Sequence, residues 1–132
     1  MQALFDVPEL KISTKKNQKE YANAEMIMRR FKNFKFDFPH ALIASSLAGC
    51  IERINGLNYS PSQIIKAEIE IRKNAKEWYN MPDDAVTAFI YLLRKHRNNF
   101  ELAKELRKYY DDNADVDEIR EYLKEHRKDK KY

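Results

Sequence analysis

A chain of 132 residues with only two glycines and four prolines has few places to turn. Those residues punctuate strands and tight loops, so their scarcity leaves long uninterrupted segments. Within the segments apolar residues recur three and four positions apart, the spacing that lines one face of an α-helix, and strand-like alternation is almost absent. The chain is therefore expected to be all-α, a single compact bundle of about six helices with an extended N-terminal arm. With 43% hydrophobic and 35% charged residues it can build one core and solvate its surface. The expected boundaries are residues 1–14 for the arm, 15–127 for the helical domain and 128–132 for a basic, solvated tail.

The periodicity places the first helix from about Lys15 to Lys35, with Tyr21, Ala24, Met28, Phe31 and Phe34 on one stripe. Beyond it Phe34, Phe36 and Phe38 fall with a period of two, which predicts an extended connection into Pro39. A second helix from Pro39 to Asn55 should bury Ile43, Leu47, Ile51 and Ile54, with Ala41, Ser45 and Ala48 allowing a close neighbour and Asn55-Gly56 ending it. In "YSPSQ" Ser60 suits the N-cap, Pro61 the first helical position and Gln63 the return bond of a capping box. The third helix then runs to about Tyr79 on Ile64, Ala67, Ile71, Ala75 and Trp78. Ile65 and Ile69 form a second apolar shoulder, which implies either another internal layer or a homodimer through those two residues.

Pro82 opens a fourth helix carrying Val86, Phe89, Ile90 and Leu93, and Asn98-Asn99 closes it. A fifth from Phe100 to Tyr110 should bury Leu102, Ala103 and Leu106. Asp115 and Glu118 form a further capping box, starting a last helix with Ile119, Tyr122, Leu123 and His126 inward.

The chemistry-bearing motifs are mostly exclusions. Cys50 is the sole cysteine, so no internal disulfide or cysteine-based metal site is available, and a cytoplasmic, reducing compartment is expected. No apolar run is long enough to span a bilayer, and the first residues lack the pattern of a signal peptide. His40, His96 and His126 lie on three separate predicted helices, and no phosphate loop, paired-histidine metal motif or nucleophile elbow occurs. The run "DDNADVDE" imitates a calcium loop through Asp111, Asn113, Asp115 and Asp117, but Val116 stands where glycine is needed and Tyr122 where a glutamate ligand is needed. Nor do the last two helices read as a helix-turn-helix, because Asp115, Asp117, Glu118 and Glu121 would meet phosphates with like charge. No enzymatic activity, metal or cofactor is expected.

Binding is better represented. The net charge of +4 is mildly basic, and in "MRRFKNFKFDFP" the helical phase sends Phe31 and Phe34 to the core while cations point outward. Lys15, Lys19, Arg29, Arg30 and Asn33 are expected to share one face of the first helix, a stripe about 30 Å long suited to a phosphate backbone or an acidic protein. At the start of the chain, Gln2, Leu4 and Phe5 resemble the glutamine, aliphatic and phenylalanine peptides that dock bacterial replication proteins into the sliding clamp, with one residue fewer between the glutamine and the Leu-Phe pair. The resemblance implies that these three residues anchor a protein partner; the physical alternative is an arm folded back on its own domain. The lysine-, tyrosine- and asparagine-rich remainder is similar in character to accessory proteins of phages. The expected function is that of a regulatory or accessory protein that binds nucleic acid through its basic first helix. The alternative is a phage or mobile-element inhibitor or adaptor that binds a nucleic-acid-handling host protein such as a replication clamp or a defence nuclease.

Overall fold

The structure, a computed structural model, describes residues 23–130, apart from the side chains of residues 78, 79 and 126–130. Six α-helices account for most of that span and no strand occurs among the described residues: α1 (Ala24–Lys32), α2 (Ala41–Gly56), α3 (Pro61–Tyr79), α4 (Asp83–His96), α5 (Phe100–Asn113) and α6 (Val116–Lys130). The all-helical expectation holds. The arm expected over residues 1–14 lies outside the described residues, and α6 carries its helical backbone into the stretch read as a tail.

Local chemistry explains most helix ends. Ser60 accepts a hydrogen bond from the Gln63 N–H at 3.3 Å, and the Gln63 side chain accepts from the Ser60 N–H at 2.8 Å, closing the expected box ahead of Pro61. Asn99 accepts from the Leu102 N–H at 3.0 Å and Asp115 from the Glu118 N–H at 3.1 Å, which start α5 and α6. Some boundaries differ from expectation: α1 ends at Lys32 rather than Lys35, and α5 runs on to Asn113 rather than Tyr110. The α1 helix does not run through from Lys15, because Asn23 is extended (φ −144°, ψ 172°) and its side chain caps the Met26 N–H. Helix α2 ends at Gly56 as expected, but the residue that turns left-handed beyond it is Asn58, at φ 55°, and the Tyr59 N–H reaches the Ile54 carbonyl at 3.0 Å. Asparagine tolerates that backbone region, so the glycine is not needed for it.

The core is built around α2 and α4. On α2, Ile43, Leu47 and Ile51 face inward, while Ala44 and Ala48 let α5 approach closely, and all five are buried. The α2–α5 contact is the most extensive in the bundle, and at its rim Arg107 forks onto Glu52 (2.7 and 3.3 Å) and reaches the Ser45 hydroxyl (3.1 Å). Helix α1 lies against both, with its first N–H donated to Glu105 of α5 at 3.3 Å. It buries Ala24, Ile27, Met28 and Phe31, and the Phe31 ring meets Phe89 of α4 edge-on at 6.4 Å. The connection after α1 is not the extended segment that the period of two implied: the Phe38 N–H turns back to the Phe36 carbonyl at 3.0 Å, and buried Phe38 meets Tyr122 of α6 at 5.3 Å between centroids.

Helices α3 and α4 form an antiparallel hairpin. Its turn is made by left-handed Asn80 (φ 53°), after which the Met81 N–H bonds back to the Ala75 carbonyl at 3.1 Å. Lys76 pairs with Asp83 near the turn, and farther along Arg94 holds Glu68 through two bonds of 2.7 and 2.9 Å. Glu68 is 1% exposed, the one buried charged residue among those described.

Candidate functional site

The hairpin sets α3 against α4 and leaves it apart from α2. Between α2 and α3 runs a groove made of two adjoining cavities of about 420 and 530 Å³, which share Cys50, Arg53, Ile71 and Asn74 in their linings. The floor of the first is apolar, with Phe38, Ile43, Met81, Val86 and Phe89. The second is framed by Ile54 and Tyr59 from the end of α2 and its turn, and by Gln63, Lys66, Ala67 and Glu70 from α3. The groove exists because the facing residues are small or polar: Ser46, Gly49 and Cys50 on α2 and Ala67 and Asn74 on α3 have too little apolar bulk to close it.

Polar groups converge on this apolar floor. Among the described residues neither the exposed Arg53 guanidinium nor the Asn74 amide makes a hydrogen bond or ion pair, and Lys66 across the groove is likewise unpaired. An apolar cleft with a few uncommitted polar groups is the usual form of a binding site. Cys50 is not a ready nucleophile there, because burial pushes its thiol up to about 11, with Arg53 only partly opposing the shift. No group of three or more His, Cys, Asp or Glu residues among those described is placed to hold a metal.

The residues singled out in the sequence are distributed differently. Gln2, Leu4, Phe5, Lys15 and Lys19 lie outside the described residues. Arg29 on α1 and Asn33 at its C-cap are exposed, whereas Arg30 is half-buried with its guanidinium 5.1 Å from the Phe34 ring centroid and its Nε buried without a hydrogen-bond partner among the described residues. Since α1 begins at Ala24, the cationic stripe does not run the length of one continuous helix. Ile65 is half-buried and Ile69 is 54% exposed, so the α3 shoulder is a surface feature, on the flank away from the groove residues Ala67, Ile71 and Asn74. No helix among the described residues is long and apolar enough to cross a membrane.

Sequence reasoning missed the groove, and missed Glu68 and Arg94, which fix its far wall. The available signal was a glutamate in phase with Ile64, Ile71 and Ala75 on the apolar stripe of α3. Comparison of the chain with family models, with curated proteins and with solved structures finds no match in any of the three.

Proposed function

We propose that the protein works by binding another protein, as an adaptor or inhibitor that seats a partner segment in the groove between α2 and α3. The observation that carries this reading is the coincidence of an apolar floor, from Phe38 to Phe89, with Arg53 and Asn74, unengaged among the described residues, at the waist of the groove. A photo-cross-linking residue in place of Asn74 should trap a discrete protein adduct in cells that make the protein. The same residue in place of exposed Lys124 on α6 is the control, and identical adduct patterns from both positions overturn the reading.

Nucleic-acid binding through the α1 face is the second reading, favoured by the exposure of Arg29, Lys32, Asn33 and Lys35 within one short stretch. Arg29→Glu should then weaken duplex binding in a gel-shift titration. Replacing Arg29 by glutamine should flatten the salt dependence by about 0.9 logarithmic units if it contacts one phosphate. An unchanged slope removes Arg29 from the contact.

A further inference from the structure

Resting on the protein-docking reading, we infer that the segment seated between α2 and α3 is an amphipathic α-helix carrying a carboxylate beside its apolar ridge. The first argument is backbone accounting. An extended segment on the apolar floor would need hydrogen-bond partners for its own N–H and C=O groups, and an exposed sheet edge normally supplies them. Here both walls are helices whose interior backbone groups already bond within their own turns. A helical segment brings its backbone bonds with it and presents only side chains to the walls.

The dimensions agree. The α2 wall extends from Ile43 to Ile54, about 16 Å at about 1.5 Å per residue, which matches roughly three turns of a helix lying alongside. Charge places the carboxylate. Among the described residues the two cavities together present two cations, Arg53 and Lys66, against a single carboxylate, Glu70. Arg53 lines both cavities from α2 and Asn74 lines both from α3, so one acid on the occupant can reach a cation and an amide donor at the waist. Apolar residues one turn away from it enter the apolar cavity over Phe38, Val86 and Phe89.

The test is a selection of displayed random peptides, long enough for about three helical turns, on the wild-type protein, with counter-selection on Asn74→Trp. Asn74 is exposed, so the tryptophan fills the groove without removing a core residue; Ala67→Leu serves as a second filled variant. Enriched peptides should show apolar residues three and four positions apart with Asp or Glu adjacent to that ridge. Once synthesised, they should shield Cys50, the single thiol of the chain, from the slow alkylation it undergoes at alkaline pH, where part of its raised thiol ionises. Arg53→Glu should lower their affinity by about tenfold, and exchanging the peptide acid for lysine should restore it.

Enriched peptides that need the open groove but lack helical spacing, or that bind equally well when broken by proline, overturn this inference and leave the docking reading intact. Shielding of Cys50 by decanoate with no peptide enriched also overturns it, in favour of a small amphipathic anion. Enrichment that is the same on the filled variants overturns it outright, and the cross-linking from position 74 then decides whether the docking reading falls as well.

Discussion

Helix α2 meets one neighbour closely and another hardly at all. Toward α5 it offers Ala44 and Ala48, and the interface is sealed at its edge by Arg107 on Glu52 and Ser45. Toward α3 it offers Ser46, Gly49, Cys50 and Arg53, and the interface is open. Small residues occur on both sides, so size alone does not decide closure. What differs is whether the partner brings apolar bulk: α5 brings Leu102 and Leu106, both buried, whereas α3 brings Ala67 and Asn74 with a half-buried Ile71 between them.

The strongest test of this contrast is the attachment of α3. Arg94→Met strands a buried carboxylate and should cost about 3–5 kcal/mol in urea unfolding, while Glu68→Leu combined with Arg94→Met should return the protein to near wild-type stability or above it. A double variant as unstable as the single one would mean that the pair does more than orient two helices. Truncation at the closed interface should come next. Leu106→Ala should cost about 2–5 kcal/mol, and Ile71→Ala in the open one less than half as much, because the wall around Ile71 already borders empty space.

One substitution made on both sides sharpens the comparison further. Ala48→Leu overpacks the α2–α5 contact and should destabilise by about 1–3 kcal/mol. Ala67→Leu projects into the groove and should fall within about 0.5 kcal/mol of wild type. Equal penalties would show that the groove is closed in solution. The smallest effect concerns His96, in line with buried Ala85 and Phe89 on α4. Burial, followed by the nearby charge of Lys95, lowers its ring to about 4, and its Nε2 is buried without a hydrogen-bond partner among the described residues. The unfolded chain takes up a proton near the ordinary 6.5 that the folded one refuses, so stability should be full above that pH and decline as pH falls toward about 4. His96→Gln should flatten that part of the stability profile, and an unchanged profile would assign the decline to other groups.

Much of the bundle was legible because its signals are local. The Ser60, Pro61, Gln63 box, the Asn98-Asn99 break and the α4 stripe of Val86, Phe89, Ile90 and Leu93 each lie within a few turns of chain. The α1 start was legible too but outweighed: Asn23 is a good cap, yet Tyr21 and Ala24 continue the apolar period across it. The same stripe passed over Ile27, which is fully buried. Other features depended on residues distant in sequence. Glu68 finds its partner twenty-six positions away, and a pattern that counts apolar residues gives a glutamate no inward direction. The groove depended on the separation of two helices, which neither helix encodes by itself.

The buried pair between α3 and α4 has a geometric consequence. A helix packed by apolar contacts alone can roll about its axis at modest cost, since one aliphatic side chain replaces another. Helix α3 cannot, because a roll of about 100° would bring Ala67 or Ile69 to Arg94 in place of Glu68, and neither can accept from a guanidinium. The pair therefore acts as an index mark on the cylinder. It selects Ala67, Ile71 and Asn74 as the wall that faces α2, and it leaves Ile65 and Ile69 on the outer flank.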